Sequence, residues 1–337
     1  MMRTRTLVLH SLVIIGCMIV VWGCAADSSN NPQPPYEIQI VNDIRYIAGD
    51  DQPYHRLDIY YPTDIAHPTV IFFVHGGAWM QGDKSEYPEL AKTFSMYYGY
   101  TVVVTNYRLS NDKDGNAVHP DHINDVAAAF AWVQKNITGY GGDPGRVFLF
   151  GQSAGAHLVS LLATDPTYLQ AQGYDLDDIE GVISMSASYD LVDLAQFPAN
   201  PLGLTADEVL MFKTLFKNAF GSWDDTVLGP ASPQNHIGSS QPPFLVVYVD
   251  QDVAGFAPEA VNFQAAVLNL QGPAISLAHL IRSDFSDETW AAATAAAAAV
   301  PKFKDYVGHY AEFMAITPAE HESRSTYLVV NFIKENS

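Results

Sequence analysis

Ser153 stands midway between two glycines in the segment Gly151-Gln152-Ser153-Ala154-Gly155, and this spacing suits a nucleophilic serine. A serine at the apex of a strand-to-helix turn adopts a strained backbone, and the neighbouring chain passes so close that side chains two positions away would collide. Glycines at those positions remove the collision and expose the hydroxyl above a helix N-terminus, which favours developing negative charge. An ordinary glycine turn is the alternative interpretation.

A serine nucleophile needs a base and an acid that orients the base, and in a strand-turn-helix setting the chain order is serine, acid, histidine. The acid should lie just past a later strand. The apolar segment 244–249 leads into Asp250 and Asp252. We predict Asp252 as the acid because the residue further past the strand can turn back toward the serine. Asp250 is the alternative.

The base should lie upstream of the final helix, which apolar spacing places at residues 325–334. His309, beside Gly308, lies upstream in a segment that is typical of a loop. We predict His309 as the base. His321 is the alternative, although it falls at the start of the helix, where reaching Ser153 is harder.

Tetrahedral intermediates also need backbone N–H groups that point at the developing oxyanion. Residues 75–79 read His-Gly-Gly-Ala-Trp and follow an apolar strand. The sequence predicts an oxyanion hole formed by the N–H groups of Gly76, Gly77 and Ala154. Trp79 either lines a substrate pocket or packs beneath this loop, and Gln152 is a second expected pocket residue.

Other chemistries lack their motifs. The histidines do not have the H-E-x-x-H spacing of a zinc site, and no G-x-x-x-x-G-K phosphate loop is present. We therefore expect no metal and no cofactor.

The elements that must position these residues alternate between apolar strands and helices. An antiparallel pair at one edge of a sheet is predicted first, and buried strands follow at 69–74, 100–106, 147–150, 181–186 and 244–249. Helical spacing covers 90–98, 121–136 and the segment after Ser153. This order predicts an α/β fold with a mostly parallel central sheet and helices on both faces.

Two segments depart from the alternation. Residues 194–228 are aromatic-rich and predict a small helical cap over the site. Residues 289–300 are rich in alanine, which favours helix but offers little apolar surface, so a surface helix is expected there.

The charge of the chain narrows the class of partner. The 337 residues include 17 Lys and Arg against 37 Asp and Glu, giving a formal net charge of −20. This excess argues against nucleic acid and against electrostatic attachment to anionic lipid. A small-molecule substrate is the expected partner.

The first residues predict export. Arg3 and Arg5 precede an apolar run at 7–22 that is shorter than the roughly 20 residues of a membrane span and suits a signal peptide. Residues 21–24 (Val-Trp-Gly-Cys) resemble a bacterial lipobox, so Cys24 is the expected lipidation site, with Cys17, plain cleavage or an uncleaved anchor as alternatives. We expect a signal peptide at 1–23, a flexible tether at 24–35 and one catalytic domain at 36–337. The protein would be a membrane-anchored lipoprotein, periplasmic or at the cell surface, or otherwise secreted.

Together these motifs resemble the α/β-hydrolase superfamily, and in detail its esterase and lipase branch with His-Gly-Gly-x-Trp before the first helix. That branch includes carboxylesterases, feruloyl-esterase-like proteins and kynurenine formamidase-like enzymes. The matching stretches are 75–79, 82–84, 106–109, 142–144, 151–157, 231–233 and 242–252. The chain departs from the family pattern at Val249, where glycine is usual, and in an insertion between residues 277 and 308.

The resemblance implies the α/β-hydrolase fold and a serine hydrolase that cleaves carboxylic esters of short acyl or aryl groups through an acyl-enzyme. It places the nucleophile at Ser153, the acid at Asp252 and the base at His309. Alternatives are an amide or formamide hydrolase, a feruloyl-sugar esterase, a peptidase on the same fold, or a hydrolase-like binding module without catalysis.

Overall fold

The computed structural model describes residues 33–110, 116–195, 202–270, 275–299 and 306–337, all within the second of two compact units, Gln33–Ser337. The predicted signal peptide, Cys24 and the tether as far as Pro32 lie outside the described residues. No helix in the described part has both the length and the apolar character needed to cross a membrane.

One sheet organises the described residues. Its strands are β1 (Ile38–Arg45), β2 (Arg56–Pro62), β3 (Val70–Val74), β4 (Thr101–Thr105), β5 (Val147–Gln152), β6 (Gly181–Met185), β7 (Phe244–Val249) and β8 (Ile275–Leu280). Their order across the sheet is β1-β2-β4-β3-β5-β6-β7-β8. The β1/β2 and β2/β4 pairs are antiparallel, and the others are parallel. The predicted antiparallel edge pair and mostly parallel sheet are thereby confirmed.

Helices connect the strands and cover both faces. They are α1 (Pro88–Tyr98), α2 (Asp121–Asn136), α3 (Ala154–Thr164), α4 (Thr167–Gln170), α5 (Leu191–Ala195), α6 (Ala206–Phe220), α7 (Asp225–Ala231), α8 (Phe256–Asn269), α9 (Asp287–Ala299), α10 (Val307–Met314) and α11 (Arg324–Glu335).

The central strands are buried because both faces of the sheet are covered. Every residue of β3, β4, β5 and β6 is buried, which explains their uninterrupted apolar sequences. Two apolar clusters follow, one on each face. Phe72 and Phe130 meet on the α2 side at a ring distance of 6.0 Å, and Phe73 and Phe150 meet on the α1 side at 5.0 Å.

The predicted cap is helical where the structure describes it. Residues 191–195, 206–220 and 225–231 form α5, α6 and α7, and residues 196–201 lie outside the described part. A capping box begins α6, in which the Thr205 hydroxyl accepts from the Glu208 N–H and the Glu208 carboxylate accepts from the Thr205 N–H. Phe212, Phe216 and Phe220 are buried, so α6 presents an aromatic face to the body of the protein.

The alanine-rich segment forms α9, a helix that is exposed except on one narrow face. Ala293 and Ala297 are buried there, in the same apolar cluster as Ala311 of α10. Small side chains allow close approach of two helices, and α9 packs against α10. The helix therefore supports the element that carries His309.

Candidate active site

Ser153 lies on a sharp turn between β5 and α3. Its backbone has φ 56° and ψ −122°, a conformation that a non-glycine residue adopts only where the surroundings impose it. The Ser153 N–H donates to the carbonyl of Met185 at 2.9 Å, and the His157 N–H donates to the Ser153 carbonyl at 3.0 Å. These bonds hold the turn between β6 and the first turn of α3.

The flanking glycines are required by contact distances. A methyl group added at Gly155 would lie 2.0 Å from the carbonyl oxygen of Val74, and one added at Gly151 would lie 2.4 Å from the carbonyl oxygen of Gly155. Both contacts involve backbone atoms of tightly packed elements, which cannot move aside cheaply.

We therefore expect Gly155→Ala to reduce the free energy of unfolding by about 2 kcal/mol or more, because either β3 or α3 must shift. Gly139→Ala is the matched control, since a methyl group there meets nothing within 4 Å. Urea unfolding followed by circular dichroism measures both. Equal stability of the two variants would contradict the close packing described at the turn.

His309 and Asp252 form a buried hydrogen-bonded pair. Nδ1 of His309 lies 2.8 Å from Oδ1 of Asp252, and both side chains are buried. Asp252 follows β7, as its sequence position suggested. The predicted loop at His309 is wrong: the residue lies in α10, immediately after Gly308.

Gly308 explains how a helix can deliver this histidine. A methyl group added at Gly308 would lie 1.8 Å from the carbonyl oxygen of Asp250. Only glycine allows the start of α10 to come this close to the loop after β7, and this approach brings His309 to Asp252.

The alternative acid and base lie elsewhere. Oδ1 of Asp250 accepts a hydrogen bond from Nε2 of His279 at 2.8 Å, and both side chains are substantially exposed. His321 stacks on Tyr97 at a ring distance of 3.9 Å. The structure brings neither of them into the His309–Asp252 pair.

Gln152 connects the histidine to the nucleophile turn. Its Nε2 lies 3.1 Å from the His309 carbonyl oxygen and 3.4 Å from His309 Nε2. The second distance exceeds the roughly 3 Å of a good hydrogen bond, so Gln152 occupies Nε2 of His309 only weakly. Gln152 is buried, and its hydrogen bond to the His309 carbonyl oxygen supports the pair.

Gly76 lies directly against the nucleophile. A methyl group added there would lie 2.5 Å from Gln152 Oε1 and 3.1 Å from Ser153 Cβ. Gly77, with φ 113°, would bring a methyl group to 2.0 Å from the carbonyl oxygen of Gln81. Gly76 therefore needs to be glycine for the loop to pass beside Ser153, and Gly77 for the loop to turn back on Gln81.

His75 orients the peptide between these glycines. It is fully buried, which lowers its pKa, and its ring stacks on Tyr107 at 4.5 Å. A neutral His75 donates from Nδ1 to the Gly76 carbonyl oxygen at 2.8 Å. Because C=O and N–H point in opposite directions across a trans peptide, this bond fixes the direction of the Gly77 N–H.

The loop is also anchored at its far end. The Asn106 side chain accepts from the Lys84 N–H at 2.6 Å and donates to Asp83 at 2.7 Å. The Lys84 ammonium lies buried between Asp43 of β1 and Asp58 of β2, at 2.8 and 2.7 Å. These contacts connect the loop that contains Gly76 and Gly77 to the antiparallel edge of the sheet.

Trp79 packs in the interior. Its ring meets those of His157 of α3 and Phe220 of α6, each at 5.1 Å, and its side chain is buried. Of the two roles that the sequence allowed, packing beneath the loop is the one that this placement favours. Burial lowers the pKa of His157 to about 3, and its Nε2 contacts the Ala231 carbonyl oxygen at 2.8 Å, so it is a structural histidine.

Sequence reasoning missed two further residues, Ser186, which contacts the pair directly, and Glu312, which reaches it through Ser186. The Ser186 hydroxyl, just after β6, lies 2.5 Å from Oδ2 of Asp252 and 2.7 Å from Oε2 of Glu312. Glu312 lies three residues after His309 in α10, and this helical spacing is the signal that could have indicated it. No motif marks Ser186, although its φ of 49° marks a constrained turn in the structure.

Comparison with known proteins gives a consistent result. The BD-FAE family matches residues 57–265. A probable carboxylic ester hydrolase of Mycobacterium tuberculosis, LipM, is 33% identical over 216 residues, 62% of this chain and 47% of that protein. Esterase LipQ of the same organism is 30% identical over 259 residues, 74% of this chain and 57% of that protein. The chain thus spans about half the length of these relatives.

Solved structures share the fold. A truncated carbohydrate esterase from gut microbiota superimposes with a TM-score of 0.64 at 16% identity, covering 90% of this chain and 97% of that chain. Esterase B of Lactobacillus rhamnosis gives 0.63 at 18% identity, covering 90% of each chain. The architecture is therefore the α/β-hydrolase fold.

Proposed function

This chain belongs to the BD-FAE family within the esterase branch of the α/β-hydrolases, and on that premise we propose that it is a serine hydrolase that cleaves carboxylic esters through an acyl-enzyme. One observation carries the proposal. The buried His309–Asp252 pair, at 2.8 Å, meets the strained Ser153 turn at Gln152, with the glycine loop against the same serine.

Acylation begins when the Ser153 hydroxyl attacks the ester carbonyl and Nε2 of His309 takes its proton. Asp252 accepts from Nδ1–H, which leaves Nε2 without a hydrogen and able to act as base. The imidazolium that forms is stabilised by the carboxylate. It then returns the proton to the departing alcohol, and the acyl group remains on Ser153.

The oxyanion is held by backbone donors. Ala154 is the first residue of α3, so its N–H has no partner within the helix and points toward the negative charge that develops beside Ser153. We assign Gly76 and Gly77 to the other side of the same hole. The closeness of Gly76 to Ser153 and Gln152 supports this assignment, and Gly77 is the next residue of the same loop.

Deacylation repeats the sequence with water as the nucleophile. His309 takes a proton from water, which attacks the acyl carbonyl, and the proton then returns to Ser153 as the acid product leaves. The same residues serve both halves of the reaction.

Aromatic side chains near the pair support a short acyl or aryl substrate. Phe256 at the start of α8 meets the His309 ring at 5.8 Å, and Phe212 of α6 meets Phe256 at 6.4 Å. These two rings form an apolar surface beside the His309 imidazole.

The test is hydrolysis of p-nitrophenyl esters from acetate to dodecanoate, together with labelling by a fluorophosphonate and mapping of the labelled residue. We expect turnover that is fastest for the short esters, and a label on Ser153. Turnover of a formamide or a feruloyl sugar, but of no simple ester, would redirect the proposal to those substrates. Cleavage of peptide reporters alone would indicate a peptidase, and neither turnover nor labelling by folded protein would favour a binding module.

We further propose that the enzyme is exported and lipidated at Cys24, which the lipobox-like segment before that residue supports. Cys24→Ala should move esterase activity from the membrane fraction to the soluble fraction of a bacterial host. Activity that stays soluble in both the wild type and the variant would exclude the anchor and leave plain secretion.

A further inference from the structure

The contacts of the Ser186 hydroxyl require a proton that the triad does not supply. Its Oγ lies 2.5 Å from a carboxyl oxygen of Asp252 and 2.7 Å from one of Glu312. A serine hydroxyl has one hydrogen and can donate to one acceptor at a time. If both carboxyl groups were ionised, one of these short oxygen–oxygen contacts would contain no hydrogen. One of the two carboxyl groups must therefore carry a hydrogen and donate it to Ser186.

The surroundings place that hydrogen on Glu312. Asp252 is well supplied with donors, since its Oδ1 accepts from Nδ1 of His309 at 2.8 Å and from the Val253 N–H at 2.7 Å. Glu312 has no exposed surface, and its Oε1 accepts from the Gln152 amide at 3.2 Å. The contacts described for Glu312 include no lysine or arginine. A buried carboxylate without a cation is costly, whereas the neutral acid is not.

The groups around Glu312 agree with this placement. Burial, and then the negative charge of Asp252, raises the pKa of Glu312 well above its usual value, and the hydrogen-bonding contacts with Ser186 and Gln152 oppose that shift without reversing it. The titratable groups that face it are Asp252 after β7, His309 on the same helix through Gln152, and Tyr189 after β6. None of these is a permanent cation.

We propose that Glu312 is a positioning residue that works as a neutral acid: it donates to Ser186, Ser186 donates to Asp252, and Asp252 holds the ring of His309. The same carboxyl accepts from Gln152, the neighbour of the nucleophile. One side chain thus connects the serine turn, the acid and the helix of the base. This inference rests on the proposed function, because His309 must act as a base for its position to matter.

The deciding comparison is between Glu312→Gln and Glu312→Leu. A glutamine can donate from its amide to Ser186 and accept from Gln152, as the neutral acid does, whereas leucine can do neither. We expect kcat/KM of the glutamine variant within about threefold of wild type, and a loss of about tenfold or more in the leucine variant, mainly in kcat. If the glutamine variant is as impaired as the leucine variant, an ionised Glu312 is required and the proposal is wrong.

A pH profile separates positioning from packing. When Glu312 loses its hydrogen at high pH, the single hydrogen of Ser186 faces two carboxylates. The hydrogen bond from Ser186 to Asp252 then weakens, and Asp252 is held less firmly. Wild-type kcat/KM should therefore decline at alkaline pH, and the Glu312→Gln variant should lack this decline. An identical alkaline decline in both proteins would overturn the proposal.

The protonation state can be read without turnover. In protein labelled with carboxyl-¹³C glutamate, the Glu312 signal should be that of a neutral acid at pH 7 and should vanish in Glu312→Gln. Glu259 is the other buried glutamate among the described residues, and burial raises its pKa to about 8. A Glu259→Gln variant assigns its signal, so that the two glutamates are not confused. An ionised Glu312 signal at pH 7 would refute the proposal. If the wild type cleaves no ester but the neutral signal is present, it is the proposed function that fails.

Ser186→Ala tests the middle of the chain of hydrogen bonds. We expect kcat/KM to fall about tenfold with little change in KM, because the carboxyl groups lose the hydroxyl between them. Ser160→Ala is the matched control, since Ser160 is a buried serine of α3 whose hydroxyl lies 3.1 Å from that of Ser184 and touches neither carboxyl. Equal rates in Ser186→Ala and Ser160→Ala would contradict the connection.

Discussion

Replacing Ser153 with alanine is expected to lower kcat for a p-nitrophenyl ester by about 10⁶-fold, the loss that follows when a serine nucleophile is removed from an intact site. In the proposed mechanism the acyl group is transferred to the hydroxyl oxygen of Ser153, and a methyl group cannot take its place. Only the backbone donors and substrate binding remain, so some acceleration over the reaction in water should persist.

The measurement is the initial rate at saturating ester, with the thermal unfolding midpoint as a check on folding. We expect the variant to fold, because alanine removes one atom and leaves the glycines on either side in place. Ser160→Ala, which removes a hydroxyl from α3, the helix that follows Ser153, should keep full activity. More than about one hundredth of the wild-type rate in Ser153→Ala would mean that another residue is the nucleophile.

Replacing His309 with alanine is expected to have the second largest effect, a fall in kcat of about 10⁴- to 10⁶-fold. Ser153 would then have no base, and Asp252 would lose the ring that it holds at 2.8 Å. Labelling of Ser153 by a fluorophosphonate should slow in parallel, because it depends on the same proton transfer.

His321→Ala is the control for this prediction. His321 stacks on Tyr97 and does not touch Asp252 in the structure, so its loss should leave kcat within about twofold of wild type. A large loss in His321→Ala with a small one in His309→Ala would reverse the assignment of the base and require the loop after β7 to adopt another arrangement.

The serine turn and the glycine loop were predictable from sequence because their backbone geometry demands particular residues at fixed spacing. Gly155 cannot carry a methyl group beside Val74, and Gly76 cannot carry one beside Gln152. A local constraint of this kind appears directly in the order of residues. The alternation of buried strands was readable for the same reason, since both faces of β5 are covered.

The helix that carries His309 was not predictable in this way. The helix spans only Val307–Met314, which is too short to show a clear helical spacing of apolar residues. Its sequence also contains Gly308, and glycine is typical of a loop. Its position depends on α9, whose buried alanines gave no apolar pattern of their own. The sequence analysis also missed edge strand β8, because its residues are mostly half-exposed and do not form a buried apolar run.

The contact between Ser186 and Glu312 was not predictable from sequence for a different reason. A glutamate is most often exposed, and although helical spacing places Glu312 one turn after His309, only the structure shows that it is fully buried. The pairing of Ser186 with two carboxyl groups joins residues that are 66 and 126 positions apart in the chain. Such contacts follow from the fold and not from local spacing.

The burial of Trp79 has a consequence for how the enzyme would sense substrate length. Trp79 follows Gly77 by two residues and packs on Phe220 of α6, so the oxyanion loop and the cap share one side chain. An acyl chain long enough to lift α6 would also pull on Trp79 and misalign the backbone donors. Long esters would then lose rate in the chemical step in addition to affinity, because lifting α6 also breaks the packing of its buried aromatic side chains.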